Sequence, residues 1–172
     1  AVGKGVGSPP LAAPAGKDSI EVSAIYFYIK SDSKKWRLVS DEKNTDKTRV
    51  KTIFESLGLT GKDKKPIIIS VSLYAEKLRD AGLTSVKFAD LIAKSQTDLK
   101  YYIIYRDASF GKLSAVKDTF SFKKDRALLK GTAVFLVKKG IAFYLSCFGP
   151  AENYEDIKSS FQEFLNNLVL NF

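Results

Sequence analysis

The chain reads first as alternating apolar and polar stretches. Ile20 to Ile29 (IEVSAIYFYI) is dense in β-branched and aromatic residues and predicts a strand. Ser31 to Lys35 is a polar turn, and Trp36 to Val39 predicts a short returning strand. Asp41 to Thr48 reads as a charged loop. Val50, Ile53, Phe54 and Leu57 fall three, four and seven apart, which predicts one helical face stopped by Gly58. Gly61 to Lys65 is a loop, and Ile67 to Leu73 (IIISVSL) a buried strand entered through Pro66. Residues 75–83 fit neither period. Ser85 is placed to cap a helix whose Phe88, Leu91 and Ile92 face the core.

Leu99 to Arg106, Leu113 to Phe122, Leu128 to Lys138 and Ile141 to Phe148 predict four strands. Lys123-Lys124-Asp125-Arg126 is a charged turn between the second and third. Lys139-Gly140 is a two-residue hairpin turn between the third and fourth. Strands joined by such short turns make an antiparallel meander. Gly149-Pro150 then ends the sheet. Asn153 and Asp156 resemble a capping box, and Ile157, Phe161, Phe164, Leu165 and Leu168 form one apolar stripe at helical spacing. These elements predict an α+β fold: an antiparallel sheet flanked by helices as an α/β/α sandwich, with a long C-terminal amphipathic helix packed on the sheet. Residues 1–18 (AVGKGVGSPPLAAPAGKD) are rich in Gly, Pro and Ala and read as a flexible tether, leaving 19–172 as a single domain.

Composition narrows the chemistry. Histidine is absent, which removes the usual general base, the Ser-His-Asp and Cys-His arrangements and the commonest metal ligand. A single cysteine, Cys147, excludes an internal disulfide and a cysteine-rich zinc cluster. It lies in an apolar strand and reads as a buried structural thiol. Two adjacent carboxylate pairs, Asp41-Glu42 and Glu155-Asp156, sit in polar segments. The second falls in the first turn of a helix, where acids simply stabilise. No D-x-[DN]-x-[DN]-G loop is present, and Gly3-Lys4-Gly5 lacks the strand and the spacing of a phosphate loop. The chain is therefore expected not to be an enzyme and to hold no cofactor; a weak surface site for a divalent cation is the one metal reading left open.

The formal net charge of +9 suits an acidic partner. The charge is uneven. Residues 112–140 hold 8 basic and 2 acidic side chains, whereas residues 141–172 hold 1 and 4. Lys123, Lys124, Arg126, Lys130, Lys138 and Lys139 form the candidate contact surface. Tyr26-Phe27-Tyr28 and Tyr101-Tyr102 raise the question of base stacking, but no RNP-like K/R-G-F/Y-G/A-F signature accompanies them. An aromatic cavity between sheet and helix would instead indicate a small-molecule carrier.

The order of elements from Gly111-Lys112-Leu113 through the Lys-Gly turn to Cys147, then Gly149-Pro150-Ala151-Glu152-Asn153-Tyr154-Glu155-Asp156 and a closing helix, resembles the PsbP-like superfamily over residues 66–172. That superfamily includes lumenal extrinsic subunits of photosystem II, bacterial DcrB-type lipoproteins and a Ran-binding nuclear import factor. The resemblance implies an antiparallel sheet with helices on both faces. Together the readings predict a non-enzymatic, monomeric accessory protein in an extracytoplasmic space: a thylakoid lumen, a periplasm or an envelope to which it is anchored. It would dock on an acidic protein or membrane-complex surface and touch a membrane only through an N-terminal anchor. The alternatives are a nucleic-acid-binding module using the basic hairpin, and a small-molecule carrier.

Overall fold

The computed structural model describes residues 19–23, 26–44, 46, 48–80, 82–95 and 102–171. The expected tether over 1–18, its glycine-rich stretch and the expected strand start at Leu99 lie outside the described residues. Five strands come first: β1 (Ser19–Ser23), β2 (Phe27–Asp32), β3 (Trp36–Lys43), β4 (Arg49–Ser56) and β5 (Ser70–Lys77). Helix α1 (Ser85–Ser95) leads to a meander of β6 (Tyr102–Phe110), β7 (Ala115–Lys124), β8 (Ala127–Lys138) and β9 (Ile141–Pro150). A 3-10 turn (Ala151–Asn153), helix α2 (Tyr154–Leu165) and β10 (Leu168–Leu170) follow.

The expected α/β/α sandwich is not what forms. The described residues are 57% strand and 18% helical. They build two antiparallel sheets, a large one in the order β3-β4-β5-β9-β8-β7-β6 and a small one in the order β1-β2-β10. The C-terminal helix is short, 12 residues. Asn166 and Asn167, poor helix formers, end it by donating backbone N–H groups to the carbonyls of Gln162 and Phe164. Leu168 therefore belongs not to the helical stripe but to β10, opposite Ile29 of β2.

The expected helix over Val50 to Leu57 is strand β4. Val50, Thr52, Phe54 and Ser56 alternate inward, while Ile53 lies on the other face. The helical spacing came from Ile53, which is apolar on the outer side. Val50, Thr52 and Ile53 are β-branched, and both neighbouring strands supply ladder partners, so pairing wins over the period. Gly58 is a turn residue at φ 67° rather than a helix stop. The strand expected from Trp36 to Val39 continues to Lys43, and β5 starts at Ser70 rather than Ile67. In α1 the cap is Thr84, whose Oγ1 accepts from the Lys87 N–H at 3.2 Å. Ser85 instead accepts the Val137 N–H of β8 at 3.0 Å, which ties the helix to the sheet. Leu91, expected in the core, is 56% exposed.

The large sheet separates two apolar layers. On one face Val50, Phe54, Leu73, Phe143, Leu145 and Cys147 pack under α2 and the small sheet, with Phe27 and Ile29 from β2. Phe164 of α2 meets Trp36 and Phe54 edge-on, each at 5.1 Å between ring centroids. The other face is covered by α1, whose Phe88 and Ala89 pack on Val116, Phe135 and Ala142. Eleven residues span only about 16 Å at 1.5 Å each, so α1 leaves part of that face open.

Candidate functional site

The six candidate cations fall into two groups. Lys123 and Lys124 end β7, Arg126 sits in the turn that follows, and Lys130 lies early in β8. Lys138 ends β8 and Lys139 opens the turn into β9, at the opposite end of that strand. From Lys130 to Lys138 the strand rises about 26 Å at roughly 3.3 Å per residue, so no single patch contains all six. Alternation also places Lys123 and Lys130 on the face bearing α2, and Lys124 on the face bearing α1.

The fold adds cations that the hairpin pattern did not suggest. The Lys130 ammonium lies 4.2 Å from the centroid of the Tyr154 ring, and Lys158 of α2 lies 5.3 Å from the same centroid. Tyr154 is held from below by its hydroxyl, 3.1 Å from Thr132 Oγ1. Glu155 is paired with Lys158 at 2.7 Å. That hydrogen bond, with further help from Lys130 and Lys62, holds its carboxyl below the usual carboxylate range. Lys62, Lys123, Lys130 and Lys158 thus share one end of the molecule, around the start of α2. Only the three-dimensional approach of the 57–67 loop to α2 reveals Lys62. Gly61 makes that approach possible, since a Cβ there would lie 2.9 Å from Asn153 Nδ2. Asn153 precedes α2 as expected, but it is buried beneath that loop and makes no capping bond with its side chain.

The carboxylate pairs do not form acid–base dyads. Asp41 accepts from Thr52 Oγ1 at 2.9 Å on one face of β3, and Glu42 accepts from Ser40 Oγ at 3.0 Å. Glu155 is engaged by Lys158, and Asp156 points to solvent on the first turn of α2. Among the described residues, no cluster of three or more His, Cys, Asp or Glu side chains could hold a metal ion. Cys147 is buried, which pushes its thiol well above the ordinary range and makes it a poor nucleophile. Phe27 is fully buried and Tyr26 nearly so, which leaves little of that cluster for stacking on a base. Tyr101 lies outside the described residues. Tyr102 is exposed on β6, the edge strand, whose bulges interrupt its ladder.

A second feature occupies the face that α1 leaves open: a cleft of about 480 Å³. Its walls are the rings of Tyr74, Phe120, Phe122, Tyr144 and Phe148. They reach one side of the sheet because each sits on the same alternation of β5, β7 and β9. Phe122 meets Phe148 edge-on at 5.3 Å. Gly131 of β8 lets the rings close over the strand; a Cβ there would lie 2.9 Å from the Phe120 ring and 2.1 Å from the Cys147 carbonyl oxygen. Ile92 of α1 lines one side, and Ser72 and Ser146 supply hydroxyls. Lys51 and Lys124 reach the cleft from opposite flanks. Burial and the hydrogen bond donated to Glu76 at 2.9 Å push the Tyr74 phenol up to about 12. Burial also raises that of Tyr144. The individual aromatics are visible along the chain, but their convergence depends on β5 pairing with β9, which local sequence does not reveal.

Beside the cleft, Arg106 of β6 fastens α1 to the sheet. Its guanidinium donates to both oxygens of Asp118, at 2.7 and 2.8 Å, and to Asp90 of α1 at 2.6 Å. The Asp118 side chain is fully buried. These bonds hold the arginine further above its already high ionisation range.

No protein-family model matches the chain, and no curated protein matches it significantly in sequence. Solved structures do. The solution structure of cyanobacterial PsbP from Synechocystis superposes with a TM-score of 0.56 at 13% identity, over 96% of this chain and 99% of that one. LpqN of Mycobacterium tuberculosis, described as involved in cell envelope biogenesis, gives a TM-score of 0.43 at 13% identity, over 92% of this chain and 88% of its own. The first likeness extends well beyond residues 66–172, and with the sheet order above it identifies the chain as having the PsbP-like fold.

Proposed function

We propose that this chain is a non-enzymatic accessory protein of an extracytoplasmic space, such as a thylakoid lumen, a periplasm or a cell envelope. It acts by docking the basic β7–β8 hairpin end beside α2, with Lys123 and Lys130, on an acidic protein or membrane-complex surface. The observation that carries the reading is Lys130 and Lys158 at the ring of Tyr154, with Lys62 near Glu155 and Lys123 on the same sheet face as Lys130, on a fold shared with cyanobacterial PsbP. Rigid placement of cations over an aromatic ring favours steering by charge and a pre-formed contact. The absence of histidine and the separation of the carboxylate pairs support a role without turnover. The test is chemical cross-linking in the extracytoplasmic fraction of the source cells, then titration of the purified cross-linked partner. Binding should weaken about tenfold between 50 and 300 mM salt, and similarly in Lys123→Glu/Lys130→Glu. An affinity indifferent to both changes, or turnover of a substrate by the purified chain, contradicts the proposal.

A further inference from the structure

We propose that the cleft on the open face of the large sheet binds a small amphipathic organic anion, with an apolar ring or chain on the aromatic floor and an acidic group at a rim lysine. The inference goes beyond docking and does not rest on it, since Lys123 and Lys130 of the docking surface lie on the other face of the sheet.

Size and lining come first. A volume of about 480 Å³ falls in the range of small-molecule sites, and five of the ten lining residues are aromatic. Phe120 and Phe122 stack with centroids 6.0 Å apart, and Phe148 stands edge-on to Phe122. Together they present an apolar floor suited to a ring or an alkyl chain rather than to a sugar. Ser72 and Ser146 are the only uncharged hydroxyls in the lining besides those of the two tyrosines, and the Tyr74 hydroxyl is already spent on Glu76.

Charge fixes the ligand class. The lining contains two lysines and no carboxylate. Of the acids that face this side, Asp118 and Glu55 are ion-paired with Arg106 and Arg37, while Glu76 and Glu42 accept from the hydroxyls of Tyr74 and Ser40 and lie outside the lining, Glu42 opposite Lys51 in register. Lys51 and Lys124 form no ion pair among the described residues. Their strands are four steps apart in the order β4-β5-β9-β8-β7, about 19 Å at roughly 4.8 Å per step, and Lys51 is in register with Val116, about 26 Å along β7 from Lys124 at roughly 3.3 Å per residue, so the two lysines stand at far, diagonal ends of the cleft. The rim lysines repel a cation, whereas an acid on an apolar body finds a partner at either rim.

Two probes of matched shape separate charge from apolarity. 1-Anilinonaphthalene-8-sulfonate carries an acid, and N-phenyl-1-naphthylamine is its neutral counterpart. Fluorescence titration of the full chain should give saturable binding of the sulfonate at one site. Lys51→Gln/Lys124→Gln should weaken the sulfonate about tenfold, corresponding to about 1.4 kcal/mol, and leave the neutral probe within about twofold. Ser146→Trp, or Ser72→Trp if the first variant unfolds, should abolish both signals while circular dichroism and melting temperature stay near wild type. Equal affinities for the two probes, or no effect of the lysine changes, overturn the anionic class. Fluorescence that survives both tryptophan variants places the probe elsewhere and overturns the cleft as a site. Salt-sensitive partner binding by the α2 end is read separately and would stand in either case.

Discussion

Removing Arg106 tests how the face that holds the cleft is kept together. In Arg106→Ala the buried Asp118 carboxylate loses both bonds to the guanidinium, and α1 loses its tie through Asp90. The Asp90 contact is mostly solvated, with 56% of that side chain exposed, and contributes roughly 0–1 kcal/mol. The Asp118 contact is different. Asp118 has no exposed side-chain surface, and stranding a buried charge costs about 3–5 kcal/mol. Arg106 itself is 22% exposed, so water reaches part of the vacated space and the lower end applies. The expected loss is about 3 kcal/mol, or about 6–12 °C in melting temperature for a domain of this size. Urea denaturation followed by circular dichroism measures it. Arg106→Leu/Asp118→Leu completes the comparison, because removing both charges leaves nothing stranded and should cost less than Arg106→Ala alone. A loss below about 1 kcal/mol in the single variant, or a double variant less stable than the single, would refute the reasoning.

Phe164→Ala should cost about 3–5 kcal/mol by denaturant unfolding, since the ring is buried against Trp36 and Phe54; a wild-type midpoint would mean that α2 does not seat there. Cys147 should ignore Ellman's reagent at pH 8 in the native protein and react fully in urea; rapid native labelling would contradict its burial under α2. Tyr74 predicts a pH effect with a definite sign. Its folded phenol titrates near 12 against an ordinary 10.0, so the unfolded chain ionises first and stability falls as pH rises through that window. Tyr74→Phe should lack part of this fall when urea midpoints are compared between pH 9 and 12, and identical slopes in the two proteins would count against it.

Much of the meander was legible in the sequence because its signals are local. Lys139-Gly140 demanded a two-residue turn, and both residues take positive φ there, 51° and 76°. The strands around the charged segment fall close to where they are expected, but the turn narrows to Asp125-Arg126, because Lys123 and Lys124 end β7, which starts at Ala115 rather than Leu113. The errors arose where pairing overrides pattern. Val50 to Ser56 shows a helical spacing yet becomes a strand, because β3 and β5 offer partners that local sequence does not reveal. Leu168 continues a helical stripe yet pairs with Ile29, far back in the chain. The basic residues were visible, but only the length of β8 separates them into two ends. The cleft was foreseeable solely as a possibility, since it depends on where α1 stops and on the bare backbone at Gly131.

The central position of β2 in the small sheet sets a timetable for synthesis. One of its edges is satisfied at once by its neighbour β1, the other only by the three residues of β10, far later in the chain. Until those residues leave the ribosome, Phe27 and Ile29 have no finished shelter, and closing so wide a loop is slow. A nascent chain therefore exposes a sticky, half-made ribbon until β10 is made, and a chain cut just after α2 should be prone to self-association.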